Sequence, residues 1–196
     1  MIDLTTAQVL GTGHERVCYL HPQDPTRVIK VRRQGQPSRD QNRIDHYYLA
    51  SLEARGVPAT HVPRQYGMVE TSIGAGLVLD CIRDRDGSVA RTLSAHLEEG
   101  SISREEAEAL LAELYSHLLS YGIVMVDIGL ANIACRHAGD RWQAVVIDGL
   151  GGRHFDVRLR LRARFPWLAR RKLRAQWESK WANSFALLDA STSARR

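Results

Sequence analysis

In the first half of the chain, hydrophobic positions alternate with polar ones over short runs that turn residues separate. Such runs are QVL, RVCYL and RVIKV before residue 32, and QYGMVET and AGLVLDCI between residues 65 and 82. A two-residue period bounded by Gly, Pro and Asp predicts antiparallel β-strands in a meander. Residues 39–55 interrupt this pattern with apolar side chains at helical spacing, and Gly56 is the predicted stop of that helix.

The second half of the chain has mainly helical spacing. Ser103 and Glu106 can form a capping box, and an apolar stripe follows them, which predicts a helix over residues 103–121. IACR and WQAVVID then flank a turn at residues 137–140 and predict a hairpin, and the remainder is helical and rich in Arg and Trp. A strand-rich first half followed by a helical second half predicts an α+β fold.

Composition narrows the class of protein further. With 44% hydrophobic and 25% charged residues, the 196-residue chain is typical of a soluble globular domain. It has no signal-peptide pattern and no apolar run long enough to span a bilayer, so we expect a cytoplasmic protein. Its three widely spaced cysteines predict reduced thiols and not a zinc site.

The positive charge is concentrated in one segment, Arg158–Arg174. The chain has a net charge of +5 and this segment alone contributes +8, so the rest of the chain is net negative. Basic residues interleaved with Leu, Phe and Trp suit an anionic surface, which would place the protein at the inner membrane. Two alternatives stay open: the arginines face water around a helical core that contains Trp167, Trp177 and Trp181, or they dock an anionic acceptor. Nucleic-acid binding is not expected, because no recognised binding motif is present.

Glycines and a lysine in the first strands suggest a phosphate site. Gly11 and Gly13 lie in a predicted turn between two strands, where backbone amides can approach phosphate oxygens closely. Lys30 lies in the middle of an apolar strand, where a charged group needs an anionic partner. Taken alone, these features more often mean a plain hairpin turn and a strand-edge lysine with its head in water.

Three polar residues of the second half complete a familiar order. Asp127 and Asn132 form a D-x-x-x-x-N loop after the long helix, and Asp148 ends the strand VVI that follows. The succession of glycine turn, strand lysine, Asp, Asn and a further Asp is that of the kinase signature. It predicts binding of ATP with Mg²⁺, with Lys30 on the phosphates, Asp127 as the catalytic base, and Asn132 and Asp148 as magnesium ligands.

On these motifs the chain resembles the YrbL family, small bacterial proteins named for the PhoP regulatory network. The resemblance covers roughly residues 9–150 and rests on LGTGHERVCYLHPQDPTRVIKV, VPRQYGMVET, DIGLANIAC and VVIDGLG. Such proteins are similar in fold to protein kinases and aminoglycoside phosphotransferases. This implies a single reduced two-lobe domain over residues 1–196, with an N-lobe over about residues 1–82, a C-lobe over about residues 83–196 and a nucleotide cleft between them. Adenine is then expected against the strand exit, at Leu79 and Cys81.

Several positions depart from the kinase pattern. Asp45 stands where the first helix would offer a Glu to Lys30, and Val126, not Arg, precedes the catalytic Asp. Gly129 stands where a lysine is frequent, and Gly149 replaces the usual Phe after the metal-binding Asp. These differences argue against a regulated protein kinase. Two functions stay open: a phosphotransferase acting on an unknown small-molecule, lipid or protein hydroxyl, and a catalytically inactive pseudokinase that binds a nucleotide or a partner.

Overall fold

A five-stranded antiparallel sheet occupies the first half of the protein, in a computed structural model that describes residues 1–35 and 40–193. Its strands lie in the order β1-β2-β3-β5-β4, and helix α1 is inserted between β3 and β4. The predicted strands are confirmed to within two residues at their ends. The predicted start of the helix at residue 39 lies outside the described residues. The elements are β1 (Val9–Thr12), β2 (Arg16–Leu20), β3 (Arg27–Arg32), α1 (Gln41–Ala54), β4 (Gln65–Thr71) and β5 (Gly74–Asp80).

The register of this sheet decides which side chains share a face. Lys30 of β3 lies opposite Cys18 of β2 and Leu77 of β5, so these three side chains point to the same side. That side packs on the main hydrophobic core through neighbours such as Val28 and Leu79. The other side has a smaller core of its own, formed by Leu4, Ile29, Val31 and Val78.

The second half combines helices with a three-stranded antiparallel sheet in the order β6-β7-β8. Ser103 caps α3 in a capping box with Glu106, as the sequence predicted. The basic segment is helical on both sides of Pro166, which is the first residue of α5, also as predicted. The elements are β6 (Arg91–Thr92), α2 (Leu93–Glu99), α3 (Arg104–Tyr121), β7 (Ile133–Ala138), β8 (Arg141–Val146), α4 (Val157–Arg164) and α5 (Pro166–Ser193).

One hydrophobic cluster joins the two halves. Tyr48 of α1 is fully buried in it, and its hydroxyl accepts a hydrogen bond of 2.8 Å from the backbone N–H of Val124. Trp177 and Trp181 of α5 belong to the same cluster, whereas Trp167 is 58% exposed. The hypothesis of a helical core around three tryptophans therefore applies to two of them. The α+β class is confirmed, and the lobe boundary near residue 82 stays a prediction.

The described helices include none with an apolar stretch sufficient to cross a membrane.

Candidate functional site

Lys30 and Asp148 meet between the two sheets. The Lys30 ammonium is buried, and it donates a hydrogen bond of 2.7 Å to the backbone oxygen of Ile147. Its Nζ lies 3.5 Å from Oδ2 of Asp148, the anionic partner that a lysine on a buried strand requires. Two predicted site residues from opposite halves of the chain are therefore in contact.

Asp148 lies two residues beyond the end of β8 and not at its last position, because that strand ends at Val146. The backbone N–H of the intervening Ile147 donates to the carbonyl of Asn132 over 2.9 Å, which holds the Asp148 segment beside the Asn132 loop. Burial by itself raises the pKa of Asp148, but the cations of Lys30 and Arg16 outweigh it and lower that pKa to about 2. With 39% of its side chain exposed, the ionised carboxylate is accessible to a ligand.

Gly149 brings the catalytic-base candidate to the same place. Its carbonyl accepts a hydrogen bond of 2.7 Å from Val126 N–H, and its φ is +81°, in the left-handed region. A Cβ at this position would lie 2.8 Å from both Cβ and the carbonyl oxygen of Asp127. Only glycine fits this close approach, which gives a physical reason for Gly149 in place of the usual Phe.

Asp127 and Asn132 form the rim of the site. The side-chain amide of Asn132 donates to the carbonyl of Asp127 over 2.9 Å and to its Oδ2 over 3.2 Å. Both contacts use the amide nitrogen and not the oxygen, which is the atom that a magnesium ion would use. The Asp127 side chain is exposed, so an acceptor molecule can reach it from solvent.

Arg16, the first residue of β2, is the site residue that the sequence reasoning missed. Its buried guanidinium lies 2.7 Å from Oδ2 of Asp45 and 2.5 Å from Oδ1 of Asp148, and it also contacts Oδ1 of Asn42 over 3.1 Å. Asp45 of α1 stands where a partner for Lys30 was expected, but it forms its ion pair with Arg16. Lys30 pairs with Asp148 instead.

The electrostatics of Arg16 follow from this position. Burial by itself lowers the pKa of its guanidinium, but the carboxylates of Asp45 and Asp148 raise that pKa above its ordinary value. The sequence contained a pattern that could have identified Arg16 as a buried residue. The two-residue period of β2 puts Arg16 on the same face as Cys18 and Leu20, which pack against the core. An arginine on a core-facing side needs an acid there.

The remaining predicted residues lie around this centre. Gly11 is inside β1, so the turn between β1 and β2 is shorter than predicted and only Gly13 belongs to it. Gly13 N–H donates to the carbonyl of Arg16 over 2.8 Å. Leu79 is buried in β5, and the Cys81 N–H donates to the carbonyl of Thr26 over 2.8 Å. The adenine position at Leu79 and Cys81 stays a prediction. The Cys81 N–H is already used by Thr26, so it is not a free donor for the base.

Asp148 and Asn132 offer oxygen donors, the type of ligand that magnesium takes in proteins. Over the part of the chain that the structure describes, no group of three or more His, Cys, Asp or Glu side chains forms a metal cluster. Magnesium usually takes one or two protein carboxylates and completes its shell with phosphate oxygens and water. Asp148 with the Asn132 amide oxygen is a donor set of this kind.

Known proteins show a clear relationship to this chain. The family model described as PhoP regulatory network protein YrbL matches residues 2–184, which include every site residue named above. Two relatives carry the name "Uncharacterized protein YrbL", one from Escherichia coli (strain K12) and one from Shigella flexneri. Each is 35% identical over 155 residues, which is 77% of this chain and 74% of the relative. Their names state no activity, so a function has to be argued from the site.

Proposed function

The chain belongs to the YrbL family, and we propose that it binds ATP with Mg²⁺ in a kinase-like cleft and transfers a phosphoryl group to an acceptor hydroxyl. One observation carries the proposal. Lys30 comes from the first half of the chain and Asp127, Asn132 and Asp148 from the second, and the contacts described above link all four at one site. These four residue types supply the phosphate, metal and proton contacts that phosphoryl transfer needs.

Each residue has a role that follows from its surroundings. Lys30 is buried beside Asp148, where its ammonium would contact the phosphates of a bound nucleotide. Asp148 and Asn132 would hold the magnesium ion, which bridges the phosphates and neutralises their charge. Asp127 is exposed at the rim and bonded to the Asn132 amide, so it would orient the acceptor hydroxyl and take its proton.

The topology supports the kinase-like part of the proposal. In protein kinases the nucleotide lysine lies on the third strand and the helix that contacts it follows. Lys30 lies on β3, and α1 comes next in the chain. Asn42 of α1 donates through its side chain to the Lys30 carbonyl over 2.8 Å, so the helix is joined to the lysine strand without a direct ion pair.

A second function, a nucleotide-binding or partner-binding pseudokinase, is favoured by Arg16. Its guanidinium occupies Oδ1 of Asp148, while Lys30 lies at Oδ2, so a magnesium ion must compete with two cations for this carboxylate. Such competition weakens metal binding and slows chemistry that depends on the metal. The exposed carboxylate of Asp127 at the rim favours the enzyme, and the two cations that already contact Asp148 favour the pseudokinase.

Thermal unfolding in the presence of ATP, with and without Mg²⁺, tests nucleotide binding. A ligand that binds only the folded chain raises the melting temperature once its concentration exceeds Kd. We expect a shift only with Mg²⁺, its loss in Asp148→Ala, and its retention in Asp127→Asn, because Asp127 contacts the acceptor and not the metal. A wild-type protein with no shift at millimolar Mg-ATP would overturn the proposal.

Turnover separates the two functions. ATP consumption that disappears in Asp127→Asn indicates the enzyme, whereas consumption that survives this change indicates a contaminating ATPase. Binding without consumption indicates the pseudokinase. In that case Arg16→Met, which frees Oδ1 of Asp148, should lower the magnesium concentration needed for the thermal shift. An unchanged magnesium requirement would show that Arg16 does not compete with the metal.

A further inference from the structure

The segment Arg158–Arg174 contains eight cations, which are seven arginines and Lys172. In the part of the chain that the structure describes, none of the eight forms an ion pair, whereas Arg16, Arg27 and Arg91 elsewhere do. The acid before the segment, Asp156, caps α4 by accepting a hydrogen bond from Leu159 N–H. The arginines that are exposed within the segment are Arg158, Arg160, Arg164, Arg171 and Arg174.

The positive potential of this surface also affects Lys172. Burial lowers the pKa of its ammonium, and the neighbouring cations of Arg162, Arg153, Lys180 and Arg158 lower it further. Like charges are therefore gathered closely enough to act on one another. Such an arrangement costs folding stability, and an anionic partner would remove that cost.

Large apolar side chains are exposed on the same surface. Val157 is 68% exposed, Leu161 41%, Phe165 42% and Trp167 58%. Val157, Leu161 and Phe165 follow one another at intervals of four residues, so they form a line along the outer side of α4. Exposed apolar side chains in a row, within a segment that also has five exposed arginines, indicate an interaction surface.

This outer line is separate from the stripe that packs α4 and α5 on the core. The inner stripe consists of Leu159, Ala163, Ala169 and Leu173, all of which are buried. The segment thus has one apolar side for its own core and a second apolar side that faces solvent. At the start of α5, Pro166 abuts Gly122 at the end of α3, and the neighbouring Tyr121 is 38% exposed.

We propose that this outer surface of α4 and the start of α5 binds an anionic lipid bilayer. Arginines would contact the lipid phosphates, while Leu161, Phe165 and Trp167 enter the boundary between headgroups and acyl chains. Aliphatic side chains such as Val157 and Leu161 gain nothing from a nucleic-acid backbone, but they gain burial in a bilayer. The proposal does not rest on nucleotide binding, since none of these residues belongs to the site around Asp148.

Co-sedimentation of the full chain with vesicles tests the proposal. We expect binding to vesicles of phosphatidylcholine mixed with phosphatidylglycerol, weaker binding as salt rises, and little binding to phosphatidylcholine alone. The variant Arg158→Gln/Arg160→Gln/Arg164→Gln should reduce the partition coefficient about 100-fold, from the contribution of each cation near an anionic surface. Leu161→Ser/Trp167→Ser should reduce the binding that remains at high salt.

A matched variant controls for net charge. Arg64→Gln/Arg85→Gln/Arg141→Gln removes the same number of exposed arginines from other elements and should bind acidic vesicles like wild type. Equal losses in the two arginine variants, or no binding of wild type to acidic vesicles, would overturn the proposal. Binding to single-stranded or double-stranded oligonucleotides in place of vesicles would also overturn it and assign the surface to nucleic acid. The substituted side chains are exposed, so circular dichroism should show unchanged folding.

Discussion

Replacing Gly149 by alanine should disrupt the contact that joins the two halves of the site. The residue has a φ of +81°, and an added Cβ would come within 2.8 Å of Cβ and the carbonyl oxygen of Asp127. Two costs therefore add. An L-residue in the left-handed region loses about 1–2 kcal/mol. Forcing a methyl group into a closed contact typically loses about 1–3 kcal/mol more.

Gly87 offers a control that separates the two costs. Its φ of +82° matches that of Gly149, but a Cβ there would meet nothing within 4 Å. Gly87→Ala should therefore lose only the backbone cost, about 1–2 kcal/mol. The difference between the two variants, about 1–3 kcal/mol, then measures the crowding against Asp127.

Urea denaturation followed by tryptophan fluorescence gives both free energies of unfolding. An unchanged slope with denaturant concentration would show that the variants differ in stability and not in the extent of unfolding. If Gly149→Ala and Gly87→Ala lose the same free energy, Gly149 does not contact Asp127, and the geometry of the site is wrong. If the proposed function is correct, Gly149→Ala also weakens the thermal shift by Mg-ATP, whereas Gly87→Ala leaves it intact.

Three further predictions concern buried polar groups. Arg16→Met should lower the free energy of unfolding in urea by about 3–5 kcal/mol, because it leaves the buried Asp45 carboxylate without its cationic partner. The double variant Arg16→Met/Asp45→Leu should recover most of this loss, and equal losses in the two variants would contradict the prediction. Tyr48→Phe should lose about 1–3 kcal/mol in the same assay, because the buried N–H of Val124 loses its acceptor. Burial and then the neighbouring His61 lower the pKa of His117 to about 4. Because the unfolded chain takes up that proton first, the free energy of unfolding should fall as pH drops from about 6.5 towards 4, and less steeply in His117→Gln. An unchanged pH dependence in that variant would assign the loss to other groups.

Much of the local structure could be predicted because it depends on neighbours in sequence. The two-residue period of RVCYL and RVIKV determined β2 and β3, and the pair Ser103 and Glu106 determined the start of α3. Pro166 determined the break between α4 and α5, since proline is favoured at the first position of a helix. Three short elements escaped prediction, β6, α2 and a 3-10 turn at Leu130–Asn132; they have two, seven and three residues, too few to show a clear period.

The chemistry of the candidate site was only partly present in the sequence. Residue types and order identified Lys30 and Asp148 as candidates, but their contact joins β3 of one sheet to the segment that follows β8 of the other. Asp45 pairs with Arg16, and Lys30 pairs with Asp148, because of where the fold places these four side chains in the buried space that they share. No spacing along the chain encodes that competition.

The aromatic residues of α5 show the same division. Sequence alone determined a basic helix with interspersed tryptophans. Packing against α2 and α3 decided that Trp177 and Trp181 are buried while Trp167 stays exposed beside the arginines. Local patterns depend on residues a few positions apart, so the sequence suffices to predict them. Burial and pairing depend on which distant surfaces meet, and only the folded chain determines that.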